Sequence, residues 1–201
     1  MKHPHFNESL SVEFLLLAYS NGYFPMADVE TGEIRWYSPD PRSIIPFKQF
    51  KPQRSLRQIV KKNLFEVRVD TACEAVIRSC AKRENSWISE EIVVAYTVLH
   101  RAGHVHSVES WREGRLVGGL YGVSIGAAFF GESMFSFESN ASKVAFVHLV
   151  EILKIGGYEI LDTQFANEHM AQFGIIDIPR ERYLFLLSNA IQKRARFESR
   201  E

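Results

Sequence analysis

Apolar positions along this chain fall into blocks of helical period and blocks of strand period. Val12, Phe14, Leu15, Leu16 and Leu17 make a segment apolar nearly all round. Ser11 can cap it and Gly22 can stop it, so a buried helix through about Ser20 is expected. Leu56, Ile59, Val60 and Leu64 recur at helical spacing behind Pro52, which predicts a helix from Pro52 to about Leu64. Its opposite face carries Arg54, Arg57, Lys61 and Lys62. Thr71-Ala-Cys-Glu74 reads as a capping box opening a helix with Cys73, Val76, Ile77 and Cys80 on one face. Ser89 and Gly103 frame a third helix.

Strand signals come next. His104 to Trp111 alternates, Glu113-Gly114 turns it, and Leu116 to Val123 and Ala127 to Phe135 read as two strands joined at Ser124-Ile125-Gly126. A helix to about Ile155, a strand from Tyr158 to Gln164, a short helix from Asn167 to Phe173 and a last helix opened by Pro179 complete the order. Helices, a meander, then helix, strand and helix imply an α+β fold with a mixed sheet flanked by helices. The two prolines around Asp40 force an extended, turn-like path, which places a boundary there. Residues 1–41 are expected to form a small N-terminal subdomain that cannot fold alone, and residues 42–201 the main domain.

Composition narrows the class. With 201 residues, 46% of them hydrophobic, the chain can bury one substantial core. It shows no signal-peptide pattern, and its longest apolar run is too short to span a bilayer. Cys73 and Cys80 read as two buried thiols of a reducing, cytoplasmic compartment. Net charge is zero, yet residues 42–68 alone hold eight Lys/Arg against one Glu, a net of +7. A block of that kind is a footprint for a polyanion, through counterion release from phosphates.

The candidate chemistry sits in the glycine-rich hairpin and the strand after it. Gly118-Gly-Leu-Tyr-Gly122 lets the backbone come close to something. Glu132 is a lone carboxylate in an apolar run, and such a group is rarely buried without a task. Asp162 and Gln164 are two apart on one strand, so they share a face and can orient a nucleophile. His100, His104 and His106 cluster without a carboxylate or thiol at ligand spacing, so no metal is expected. There is no nucleophile elbow and no phosphate loop of the P-loop or dinucleotide kind.

Several long motifs are together specific. Gly22-Tyr-Phe-Pro-Met26, Trp36-Tyr-Ser-Pro-Asp-Pro-Arg42, Gly103-His-Val-His-Ser-Val-Glu109, Gly118-Gly-Leu-Tyr-Gly122, Phe130-Gly-Glu-Ser-Met-Phe-Ser136, Asn140-Ala-Ser-Lys143, Leu161-Asp-Thr-Gln164 and Ile178-Pro-Arg180 carry them. From about Leu10 to Tyr183 the chain resembles the bacterial leucyl/phenylalanyl-tRNA–protein transferases. The resemblance implies a fold like the GCN5-related acetyltransferases behind a small N-terminal domain. It implies transfer of Leu or Phe (also Met) from aminoacyl-tRNA to the α-amine of proteins beginning with Arg or Lys. That step marks the acceptor for N-end-rule degradation.

Carried over by motif, Asp162 and Gln164 resemble the catalytic pair and Glu132 the carboxylate beside the aminoacyl group. Leu120, Phe129, Phe146, Leu149, Leu153 and Leu161 match the apolar pocket for the Leu or Phe side chain, and Trp87 the aromatic near the terminal adenosine. Met26, Leu120 and Leu149 depart from the commoner Trp, Met and Phe of the family. Arg54, Arg57, Lys61 and Lys62 are the expected tRNA contacts. Aminoacyl-tRNA is a substrate, so no coenzyme is expected, nor a membrane partner, and the enzyme is expected to be a monomer.

The chemistry itself is undemanding. An aminoacyl ester is already activated, and a free α-amine with a pKa of about 7.7–8.0 is partly unprotonated near neutrality. Gln164 is expected to hold that amine, with Asp162 fixing the amide and attracting the cationic acceptor. Two other readings compete. An acetyl-coenzyme A acyltransferase needs a glycine-rich pyrophosphate loop, and Glu132 through Ile155 contains no glycine. A non-enzymatic RNA-binding module explains the basic block but leaves Glu132, Asp162 and Gln164 without a part.

Overall fold

The computed structural model describes residues 10–166 and 168–198. Helix α1 (Val12–Ser20) is capped by the Ser11 hydroxyl, which accepts the Phe14 N–H. It is only half sunk: Leu15 and Tyr19 are buried, whereas Leu17 stands 60% exposed. Next comes a two-stranded hairpin, β1 (Phe24–Ala27) and β2 (Ile34–Tyr37), in a stretch whose sequence by itself reads as a loop. β3 (Arg42–Ile44) then enters the main sheet.

Helix α2 (Arg54–Lys61) buries Leu56 but stops short of Leu64, because Asn63 takes a left-handed φ of 48°. β4 (Glu66–Val69) leads to α3 (Cys73–Ala81), and here the capping box fails. Thr71 turns its hydroxyl to Glu109 on the sheet, and the Thr71 and Ala72 N–H groups both donate to that same carboxylate at 3.1 Å. A buried acid from another element thus does the work of a local cap. Helix α4 (Glu90–Arg101) follows, with Ser89 as its cap, as expected.

β5 (Val105–Arg112), β6 (Arg115–Ile125) and β7 (Ala128–Ser136) form the central meander. After α5 (Ala141–Ile155) come β8 (Ile160–Gln164), α6 (Glu168–Ala171), β9 (Ile176–Ile178) and α7 (Arg180–Ala190). The expected start of the short helix, Asn167, lies outside the described residues.

The main sheet has seven strands in the order β4-β5-β6-β7-β8-β3-β9. Its neighbours are antiparallel except β7 and β8, which run parallel through the α5 crossover. Strand alternation splits the core between its faces. Tyr121 and Phe130 face α1, α3 and α4, with Tyr19, Val76 and Tyr96. Leu120 and Phe129 face α2 and α5, with Leu56 and Phe146. Gly118 is where α5 comes closest: an added Cβ would lie 2.5 Å from Ala141 Cβ and 2.9 Å from the Ser142 nitrogen.

Cys73 and Cys80 are buried free thiols, each pushed up to about 12 by burial. No helix of the described residues is long and apolar enough to cross a membrane.

Candidate active site

Two irregularities open a cavity in the sheet. β7 pairs with β8 only from Ala128 to Phe130, opposite Ile160 to Asp162. Beyond that the strands part, β7 staying with β6 and β8 with β3. In the β6–β7 ladder Gly122 faces Gly131 and Tyr121 faces Ser133, so Glu132 is an extra residue, a bulge. Bulges re-aim side chains and sharpen twist next to functional sites. Gly122 is required there, because a Cβ would strike the Phe130 carbonyl and the Phe129 ring.

The gap is a cavity of about 900 Å³ lined by residues of both faces. Leu120, Met134, Phe146, Leu149 and Met170 form its apolar wall. Trp87, Lys82 and Arg83 line another part, and Glu132 and Gln164 stand in the wall as well. Phe129, Leu153 and Leu161, expected in the same apolar pocket, are fully buried in the cluster behind that wall.

Asp162 is completely buried, and four donor groups converge on it. Arg42 donates from Nε at 2.9 Å and from Nη2 at 2.6 Å, Tyr183 from its hydroxyl at 2.6 Å, and Gln164 from its backbone N–H at 2.8 Å. Arg42 is equally buried and sandwiched between the Phe24 and Tyr183 rings, with Nη1 donating to the Gly22 carbonyl at 3.1 Å. Burial alone pulls a guanidinium's pKa down, but Asp162 outweighs it and leaves Arg42 raised.

This geometry corrects one expectation. Asp162 has no open approach and no unbalanced charge with which to attract a cationic acceptor. It fixes Gln164 through the backbone rather than through the amide. Gln164 sits at φ 64°, a left-handed conformation costly for a residue with a Cβ and held here by the Asp162 bond. Its amide Nε2 donates to Glu132 Oε1 at 3.1 Å.

Glu132 Oε1 also accepts the Tyr19 hydroxyl at 2.7 Å, and Tyr19 is in turn hydrogen-bonded to Tyr96. Glu132 Oε2 has no partner among the described residues. Burial drives the Glu132 carboxyl up to about 8; Tyr19 and Gln164 pull it back, Asp162 adds repulsion and Arg42 attraction. At neutral pH the group is therefore mostly protonated.

Tyr19, Arg42 and Tyr183 were not singled out by sequence as site residues. The signals were slight: Tyr19 is a polar atom on an apolar helix, and Arg42 ends the Pro-Asp-Pro turn. Arg42 also leaves the basic block, since its charge is spent inside, and Arg68 pairs with Glu66 at 2.8 Å. The exposed remainder is Lys48, Lys51, Arg54, Arg57, Lys61 and Lys62, none ion-paired with a described residue. Helix α2 packs on α5, whose Phe146 and Leu149 wall the cavity.

The histidines do other work. His106 bonds Asp70 at 2.7 Å and stacks on Phe197, and His100 bonds the Val105 carbonyl at 2.8 Å. The fold thus supplies a carboxylate that local spacing did not show, yet the described residues include no group of three metal-ligating side chains.

A family model described as leucyl/phenylalanyl-tRNA protein transferase matches residues 44–188, and one for that transferase's N-terminal domain matches residues 8–40. The chain belongs to this family. A leucyl/phenylalanyl-tRNA–protein transferase of Gloeobacter violaceus is 51% identical over 189 residues, covering 94% of this chain and 98% of that one. The protein of the same name from Chlorobaculum tepidum is 47% identical over 192 residues, covering 94% and 99%. A solved structure described as L-PGS from Bacillus licheniformis superposes with a TM-score of 0.41 at 14% identity, over 80% of this chain and 55% of that one. The transferase's candidate site therefore comprises the bulge acid Glu132, the strained Gln164, the buried Asp162–Arg42 pair and the apolar wall beside them.

Proposed function

We propose that this transferase moves Leu or Phe, and also Met, from aminoacyl-tRNA to the N-terminal α-amine of proteins beginning with Arg or Lys, marking them for N-end-rule degradation. One observation carries the reading. An apolar wall adjoins Glu132 and Gln164 inside one cavity, and Gln164 is tied behind it to the buried Asp162–Arg42 pair. That arrangement suits a substrate with an apolar side chain on a carbon that also bears an amine and an activated ester.

The donor side chain lies against Leu120, Phe146 and Leu149, and the terminal adenosine lies near Trp87. The acceptor amine enters unprotonated and is held by the Gln164 carbonyl oxygen. Its nitrogen attacks the ester carbonyl carbon. The C–N bond forms, the bond from carbon to the ribose oxygen breaks, and that oxygen collects the amine's proton. Asp162 keeps Gln164 in its strained pose, so positioning supplies most of the rate enhancement. No metal or coenzyme takes part.

The acetyltransferase-like, GCN5-related reading of the fold is supported by the β7–α5–β8 unit, whose parallel strands part at the site. Exposed Arg54, Arg57, Lys61 and Lys62 carry the tRNA backbone. The protein acts in the cytoplasm as a monomer, with residues 1–41 as a dependent subdomain. The test is transfer of labelled Leu from Leu-tRNA to a protein with N-terminal Arg. Transfer that ceases when the acceptor's α-amine is blocked supports the reading, and no transfer by the folded protein refutes it.

A further inference from the structure

The loop of residues 82–88, which joins α3 to α4, carries two cations that the fold leaves unpaired. Lys82 and Arg83 are exposed and line the cavity together with Trp87. Arg78, earlier on α3, is engaged by Glu74 and Glu90, each at 2.9 Å. Lys82 and Arg83 form no ion pair with a described residue. The adjoining acid, Glu84, is exposed and does not line the cavity. The macrodipole of α3 favours a cation at its C-terminal end, which accounts for Lys82 as a solvated surface charge. It gives no reason for Arg83 to be tethered at the cavity. Arg83 Nη2 donates to the Ser133 hydroxyl on β7, and Nε donates to the Cys80 carbonyl at 3.4 Å.

The same loop fixes an aromatic ring. The Ser86 N–H donates to the Arg83 carbonyl at 3.2 Å and closes a turn in which Asn85 takes a φ of 57°. Trp87 follows, its carbonyl held by the Ala27 N–H at 3.0 Å and its ring packed in part against the core. A guanidinium and an ammonium bind phosphate, and an exposed aromatic face takes a base, which is the pairing that single-stranded nucleic acid requires. Position separates this pair from the basic helix. α3 and α4 pack on one face of the sheet and α2 on the other, so Lys82 and Arg83 are no extension of the Arg54–Lys62 face. A tRNA resting on α2 must cross the cavity to bring its last nucleotide to Trp87.

We propose that Lys82 and Arg83 bind the phosphate on the 5′ side of the donor's terminal adenosine, with Trp87 against its base. The 3′ end of the tRNA is then placed by an anion site of its own, independent of the contacts on α2. This rests on the reading of the cavity as the aminoacyl-tRNA site.

The test uses the full chain and two non-transferable probes, in which leucine is joined by an amide to the 3′ position of adenosine. One probe has a free 5′-hydroxyl, and the other carries a 5′-methyl phosphate diester that mimics the internucleotide link. In calorimetric titration at low salt the wild type should bind the diester about 10-fold tighter, an advantage that shrinks as salt rises. The double variant Lys82→Gln, Arg83→Gln should bind both probes alike, with wild-type affinity for the hydroxyl probe. Neutralising Arg54, Arg57, Lys61 and Lys62 should leave the advantage intact. Equal binding of the two probes by the wild type would overturn the proposal, as would an advantage kept in the double variant or lost in the α2 variant. A double variant that weakens both probes equally would also overturn it, because the pair would then only hold the loop in shape. A wild type that binds neither probe refutes the reading of the cavity itself, whereas a hydroxyl probe that binds without any gain from the diester refutes the phosphate site alone.

Discussion

Replacing Glu132 by Gln should change how the stability of the transferase depends on pH. In the unfolded chain the carboxyl ionises near its ordinary 4.5, whereas in the folded protein burial holds it at about 8. Between those values the unfolded state gives up a proton that the folded state keeps, so stability contributed by this group is fully present below pH 4.5 and is lost as pH rises toward 8. At about 1.4 kcal/mol per pH unit the whole interval is worth about 5 kcal/mol, of which roughly two thirds is already gone at pH 7. Gln at the same position keeps the acceptor oxygen for Tyr19 and Gln164 and does not titrate. The comparison is urea unfolding of both proteins at 25 °C from pH 4.5 to 9, with unfolding free energies taken by linear extrapolation. The Glu132→Gln protein should gain steadily on the wild type from pH 5 to 8, and the difference should level off above that. Two curves parallel within about 1 kcal/mol would show that Glu132 titrates normally, and the argument from its burial would fall.

Asp162→Asn leaves Arg42 as a buried cation without a counter-charge and should cost about 3–5 kcal/mol in denaturation, together with most of the turnover. The double variant Asp162→Asn, Arg42→Met should regain part of the stability but not the transfer rate, and equal recovery of both would contradict a positioning role for the pair. Neutralising Arg54, Arg57, Lys61 and Lys62 together should weaken binding of Leu-tRNA and Phe-tRNA alike. It should also flatten the salt dependence by a slope of about 3–4, and an unchanged slope in a filter-binding titration would remove α2 from the tRNA interface. Transfer from Val-tRNA should be slower than from Leu-tRNA by only about 10–200-fold, since an apolar wall grades side chains rather than excluding them; equal rates would argue against the wall.

The long elements were legible because their periods were long enough to read. α4, α5 and the β5–β7 meander lie close to where pattern put them. β3 and β9 span three residues each and β4 four, too few for an alternation to register, so the outer part of the sheet was invisible. The capping box at Thr71 was a sound local inference overridden by Glu109, thirty-eight residues away. Glu132 could be picked out as a carboxylate in an apolar run. Its bulge could not, since an extra residue shows only against the partner strand. The Asp162–Arg42 pair spans 120 residues, and no local spacing signals it. Gln164 could be set beside Asp162 from their spacing, but its left-handed backbone and its reach to Glu132 depend on that pair.

The Arg42 clamp ties α1 to the main sheet in a way that hydrogen exchange can read. Its guanidinium holds the Gly22 carbonyl while Tyr19 holds Glu132, so α1 is fastened at one end to the ion pair and along its inner face to the acid of the bulge. Any ligand that settles on Glu132 tightens a residue whose other oxygen is gripped by α1. The backbone amides of α1 should therefore exchange more slowly when the cavity is occupied, and the local opening energy of α1 becomes a gauge of donor binding.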